Sequence, residues 1–211
     1  MSATTPSAEA PEFFVRSTHD HDDGHHHETG TMIGFWIYLM SDCLIFGSLF
    51  AVYAVLGNNY AAGPSPKDLF DIDMILVSTF MLLFSSITYG FAVLRMQMND
   101  LKGTQLWLII TGLFGLGFLY LEVLEFTHLW HEGATPMASA FLSSFYTLVG
   151  THGLHVTGGV IWLITLLIQL SLKGLTHENQ RRVMCLSMFW HFLDLIWIGV
   201  FSFVYLTGVL L

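Results

Sequence analysis

SAFLSSFYTLVGTHGLHVTGGVIWLITLLIQLS, residues 139–171, is the stretch that decides the fold. It contains no Asp, Glu, Lys or Arg, and it exceeds the ~20 apolar residues that a helix needs to cross ~30 Å of hydrocarbon. Inside it, GTHGLHVTGG (150–159) sets His152 and His155 three residues apart among Gly and Thr. A soluble protein would mark a helix of this length with a charged face. Here no such face exists, so lipid is the expected surrounding.

Working outward, four more apolar runs appear, at roughly 32–57, 73–96, 104–129 and 183–210 by window and length. The whole chain of 211 residues is 54% hydrophobic and only 11% charged, against roughly 25% charge in a soluble domain. Its mean hydropathy is +0.62. Lipid offers the backbone no hydrogen-bond partners, so each run is expected to be helical, and no alternating ten-residue segments point to a barrel. The fold class is therefore an all-α membrane protein with five transmembrane helices. The fourth run is long enough to require tilt or interfacial ends.

The linkers are short. GNNYAAGPSPKD (57–68) carries Gly, Asn and Pro breakers, HEGATP (131–136) joins the third and fourth runs, and 97–103 and 172–182 are polar turns. No repeat or separate soluble domain interrupts 31–211. Residues 1–30 form a different region, with six acids (Glu9, Glu12, Asp20, Asp22, Asp23, Glu28) against Arg16 alone. The region has no apolar core of a signal peptide, and its HDHDDGHHHE stretch (19–28) offers at most weak divalent-metal binding. The expectation is a disordered, acidic, His-rich tail.

Orientation follows from Lys and Arg. Five crossings put the N-terminal region, the second loop and the fourth loop on one side, which holds Arg16, Arg95, Lys102, Lys173, Arg181 and Arg182. The other side holds Lys67 alone. By the positive-inside rule the N-terminus is cytoplasmic and the C-terminus periplasmic. No basic patch points to nucleic acid. Cys43 and Cys185 lie outside any metal-ligand spacing and at different depths, so both are expected to be buried thiols without a disulfide.

The residues that call for a chemical account are the ionisable ones inside the runs: Asp42, Glu122, Glu125, His152, His155, His191 and Asp194. Such groups are costly in hydrocarbon and persist when paired or turned toward protein or water. Glu122/Glu125, Glu125/His128, His152/His155 and His191/Asp194 are all i,i+3 pairs, so each pair shares a helix face. Glu125-Phe-Thr-His128 has the Glu-x-x-His spacing of di-iron bundles, but the required second copy is missing from the runs. Haem ligation by His152, His155 or His191 is a second reading; it needs facing histidines at matched depth. A third reading is packing, in which Gly150, Thr151, Gly153, Thr157, Gly158 and Gly159, with Gly112, Gly115 and Gly117 on the third run, admit close helices whose imidazoles bond across the contact. A proton relay through Asp42 or Asp194 stays open. Trp36, Trp107, Trp130 and Tyr60 fall near run ends and suit an aromatic belt, whereas Trp190 and Trp197 read as packing or lipid contacts.

The motifs IGFWIYLMSDCLIFGSLF (33–50), LLFSSITYG (82–90), FLYLEVLEF (118–126), GTHGLHVTGG (150–159) and WHFLDLIWI (190–198), taken in order, resemble subunit III of the haem–copper terminal oxidases. The resemblance runs from about Thr31 to Leu211 and is greatest to the cytochrome bo-type ubiquinol oxidase branch. It implies a five-helix, non-catalytic accessory subunit in a bacterial inner membrane, within a proton-pumping respiratory complex that oxidises quinol and reduces oxygen to water. It implies no cofactor in this chain, haem and copper in subunit I, and bound phospholipid. Partners would be subunits I, II and IV, with ubiquinol used by the complex. The roles implied are stabilising subunit I, holding lipid and supporting proton uptake. Asp42 stands where many cytochrome c oxidase members carry a buried, carbodiimide-reactive glutamate, and its shorter side chain has less reach. Rival readings are an accessory subunit of a cytochrome c oxidase or nitric oxide reductase, an intramembrane di-metal enzyme, and a transporter or proton channel.

Overall fold

The computed structural model describes residues 22–57, 59 and 72–210, and among these there is no strand. The elements are α1 (Asp22–Leu56), α2 (Ile72–Gln97), α3 (Leu101–His131), α4 (Ala140–Lys173) and α5 (His177–Val200). A π-helical turn, Phe201–Leu206, carries α5 on into the terminal turn α6 (Thr207–Leu210). Five helical stretches are long and apolar enough to cross a membrane: Gly30–Leu56, Ile72–Gln97, Leu101–His131, Ala140–Lys173 and His177–Leu206. They coincide with the five expected spans to within a few residues at most ends.

The differences at the ends have local causes. α5 begins at His177, six residues before the apolar run, because Thr176 Oγ1 accepts from the Asn179 amide at 3.3 Å and Asn179 Nδ2 donates to the Gly174 carbonyl at 2.8 Å. That capping pair starts a helix where hydropathy alone sees a polar turn. Asp100 and Ser139 cap α3 and α4 in the same way, through the amides of Gly103 and Leu142. α1 reaches back to Asp22, over the end of the acidic region. Residues 1–21 of that region, and most of the 57–68 linker including Tyr60, lie outside the described residues.

Consecutive helices run antiparallel, and cross-bundle contacts fix which ends meet. Gln180 Nε2 donates to Asn99 Oδ1 at 3.4 Å, joining the α2–α3 and α4–α5 turns. Cys185 Sγ lies 3.8 Å from Met32 Sδ at the same end. At the opposite end the Phe141 amide donates to the Asn59 carbonyl at 3.3 Å.

α5 is the axis of the bundle. Its spanning window is 56% buried, while that of every other span is 33% or less. It packs on α2, α4 and α1, and α3 closes the ring by packing on α2 and α4. Its buried positions Val183, Leu186, Trp190, Leu193, Trp197, Val200 and Val204 advance in alternating steps of three and four. The facing stripe of α2 does the same with Ile75, Ser78, Leu82, Ser85, Tyr89, Ala92 and Met96. Such a period keeps one seam of each helix toward its partner.

Apolar burial gives little drive between helices already in lipid, so close approach and hydrogen bonds must hold the seam. Both are present. A Cβ on Gly115 would lie 3.0 Å from the Trp190 ring, and one on Gly159 3.2 Å from it. Trp190 Nε1 donates to Ser85 Oγ at 2.8 Å, Ser85 Oγ donates to the Thr111 carbonyl at 3.3 Å, and Thr88 and Thr111 share a 2.9 Å hydroxyl contact. Tyr89 Oη donates to the Val183 carbonyl at 3.0 Å, and Trp197 Nε1 to Thr79 Oγ1 at 3.1 Å. Trp190 and Trp197 are thus core donors and not lipid contacts. One cysteine also departs from expectation: both thiols are free, but only Cys185 is buried and Cys43 faces outward. α1 buries a narrow stripe, Leu39, Asp42, Phe46 and Tyr53, and position 43 falls off it.

Candidate functional site

The intramembrane ionisable residues form two neighbourhoods and one separate pair along the bundle. The first lies where α1 meets α4. Asp42, 4% exposed, sits on the buried stripe of α1, and its Oδ2 stands 3.7 Å from His155 Nε2. His155 Nδ1 contacts the Thr151 carbonyl of its own helix at 2.8 Å, so Nδ1 is the donor. A neutral ring then offers only a lone pair at Nε2, toward a carboxyl oxygen. The pair is therefore attractive only when it holds one further proton, on Asp42 or on His155. At 3.7 Å the contact is an ion pair or proton-sharing contact, longer than a direct hydrogen bond.

One turn deeper is His152, wholly buried. Its ring lies 5.2 Å from Trp197, 5.9 Å edge-on from Phe118 and 6.3 Å from Phe46, which also contacts His155 at 5.1 Å. Neither nitrogen of His152 has a hydrogen-bond partner among the described residues. The packing expected of the two histidines is thus divided: His155 reaches a polar group on α1, and His152 fits an aromatic cage through its faces and edges.

The second neighbourhood is on α3. Glu122 is 5% exposed and lies over Gly153 of α4, where a methyl group would overlap both carboxyl oxygens. Glu122 Oε1 has no hydrogen-bond partner among the described residues. Glu125 Oε2 accepts from Tyr205 Oη at 3.3 Å. Tyr205 reaches this contact from the π-turn, where it and Val204 are both buried.

His191 and Asp194 stand apart from both. Ser86 Oγ and His191 Nδ1 are 2.7 Å apart across the α2–α5 seam, and Asp194 Oδ2 is 3.9 Å from the same nitrogen. The His191 side chain is 46% exposed on the outer surface, while that of Asp194 is turned inward.

The metal-like spacing of Glu125 and His128 does not converge. Glu125 turns to Tyr205, and the exposed His128 pairs with Glu132 at 3.3 Å. Among the described residues no three His, Cys, Asp or Glu side chains come together as a group able to hold a metal ion. Nor do His152, His155 and His191 face one another as a haem slot requires: His152 is walled by aromatic rings, His155 looks to α1 and His191 to α2. Gly158, counted among the close-packing glycines, has open space where its side chain would be. Sequence reasoning missed the hydroxyl and indole ladder of Thr79, Ser85, Thr88, Thr111, Trp190 and Trp197. Its one visible signal was hydroxyl residues recurring at seam positions of α2.

Comparison with known proteins places this arrangement. A family model described as cytochrome c oxidase subunit III matches residues 13–209. The chain is 54% identical over 186 residues to a protein of Pseudomonas putida named cytochrome bo(3) ubiquinol oxidase subunit 3, covering 87% of this chain and 90% of that one. It is 52% identical over 192 residues to the protein of the same name in Pseudomonas aeruginosa, covering 91% and 92%. It is 47% identical over 184 residues to a quinol oxidase subunit 3 of Bacillus spizizenii, covering 86% and 90%.

Proposed function

Because the chain belongs to the cytochrome c oxidase subunit III family, we propose that it is the accessory subunit III of a quinol oxidase, a multi-pass protein of the bacterial inner membrane. The observation that carries this reading is likeness at 47–54% identity, over most of the chain, to proteins named as subunit 3 of quinol oxidases. In this role the chain performs no electron transfer of its own. Haem and copper belong to subunit I, and quinol oxidation and oxygen reduction to the assembled complex with subunits I, II and IV.

The contribution of this chain is mechanical and lipidic. Its lipid-facing helices, with Leu44, Val55 and Leu113 among their exposed side chains, present apolar surface to subunit I and to phospholipid. Asp42, His155 and Asp194 hold helices together within it and so keep that surface in shape. The Lys and Arg bias sets the N-terminus and the α2–α3 and α4–α5 turns on the cytoplasmic side and the C-terminus on the periplasmic side. The basic turns then lie where protons are taken up.

The test is deletion of this chain from the intact oxidase, with oxygen consumption measured on membranes supplied with ubiquinol or with reduced cytochrome c. Loss or rapid decay of the quinol-driven rate, with haem still bound to subunit I, is the expected result. Loss of a cytochrome c-driven rate instead would assign the chain to the other branch of the family. A haem spectrum in this chain purified alone would sink the accessory role.

A further inference from the structure

A groove of about 450 Å3 runs between α3 and α4 on the outer face of the bundle, lined among others by Glu122, Phe126, Thr147, Gly150, Gly153 and Leu154. Glu122 is its singular feature. The residue is 5% exposed, its Oε1 lacks a partner among the described residues, and the notch at Gly153 exists only because that position has no side chain. Three groove hydroxyls are committed elsewhere: Thr147 donates to the Ser143 carbonyl at 2.7 Å, Thr157 to the Gly153 carbonyl at 2.8 Å and Tyr146 to the Ala134 carbonyl at 3.0 Å.

Depth decides what can occupy the groove. α3 is 31 residues long, about 46 Å at ~1.5 Å per residue against ~30 Å of hydrocarbon, so with α3 centred in the layer Glu122 lies about 6 Å inside its edge. Bulk water and the headgroups of the surrounding bilayer lie outside that edge. An acyl chain would fill the apolar part of the groove but bring no donor to the carboxyl, leaving a buried acceptor unpaired. A transmembrane helix supplies both apolar surface and a side-chain donor. The floor suits it too, since Gly150 leaves the groove shallow beside the carboxyl.

We propose that the α3–α4 groove seats one transmembrane helix of another subunit of the same complex, and that a side chain of this helix donates a hydrogen bond to Glu122 Oε1. The inference rests on the reading of the chain as a subunit of an oxidase, and it names the face and the residue through which one partner is held. The partner is defined by its chemistry: an apolar helix with one hydroxyl, amide, indole or cationic donor at the depth of Glu122.

The experiment uses the purified intact complex with a photoreactive benzoylphenylalanine at Thr147. The expected product is a cross-link to a transmembrane peptide of one other subunit, identified by mass spectrometry. Glu122→Leu should lower its yield about fivefold, while Glu122→Gln, which still accepts, should retain most of it. If Glu122→Leu fails to assemble, Gly150→Ile fills the groove with the carboxyl intact; loss of the cross-link then supports the docking and an unchanged yield overturns it. Cross-links to phospholipid alone, in a preparation where the chain co-purifies with the haem-bearing subunit, overturn the docking and leave the accessory role standing. A wild-type chain that fails to co-purify with that subunit overturns the accessory role on which the docking rests.

Discussion

Asp42 and His155 show how a single residue can be both costly and informative inside a membrane. The carboxyl is held 3.7 Å from an imidazole whose other nitrogen is committed to the Thr151 carbonyl, so removing either partner takes away a polar contact between α1 and α4. In a double-mutant cycle on detergent-solubilised oxidase, Asp42→Leu and His155→Leu should show a coupling of about 1 kcal/mol, as interhelical polar contacts in membranes do. Coupling near zero in the unfolding or subunit-dissociation midpoint would mean the pair does not hold α1 to α4. His152 behaves differently because it has no hydrogen bond to lose. His152→Leu should cost less than about 1.5 kcal/mol, whereas His152→Ala, which opens a cavity among Phe46, Phe118 and Trp197, should cost about 2–4 kcal/mol. Equal losses for the two variants would reveal a hydrogen bond that aromatic packing does not explain.

Among the helices, glycine position matters more than glycine content. The third span carries Gly112, Gly115 and Gly117, and sequence spacing alone treats them as one face. In the bundle Gly112 meets Leu163 of α4, Gly115 lies under Trp190 of α5, and Gly117 meets Met81 of α2. The small positions therefore let α3 approach different neighbours. Gly115→Val should push Trp190 off Ser85 and cost about 1–3 kcal/mol, detectable as a lowered thermal midpoint of subunit retention. Gly47→Val, on an exposed position of α1 with open space around it, should leave the unfolding midpoint of the chain itself unchanged. The same distinction explains what was legible at this level. Apolar length alone located five spans. The partners of each glycine required the packed bundle, because i,i+3 and i,i+4 spacing identifies a shared face and says nothing of what the face meets.

For the whole molecule, one arrangement links fold and orientation. The α2–α3 and α4–α5 turns meet through Gln180 and Asn99, and the opposite end is tied through Asn59 and Phe141. A thiol-reactive, membrane-impermeant reagent should therefore label cysteines placed at Asn99 and Lys173 from one side of the membrane, and a cysteine at Gly133 from the other. With Cys43 and Cys185 replaced by Ser, labelling of Asn99→Cys only in inside-out vesicles is the outcome expected of a cytoplasmic N-terminus. Labelling from the periplasm would reverse the assignment.

The sequence by itself determined the solvent, the five spans and their helical state, since a run such as 139–171 has no polar face to offer water and its backbone has no partner but itself. It also named the seven ionisable residues that hydrocarbon would penalise, and through several ordered motifs it carried the family. Only the tertiary structure decided which of these groups meet. It set Asp42 against His155, caged His152 in aromatic rings, turned Glu125 to Tyr205 and left Glu122 facing a groove. The reason is that helix–helix contacts in lipid depend on shape and on individual hydrogen bonds between residues far apart in the chain, where hydropathy has no contrast left to report.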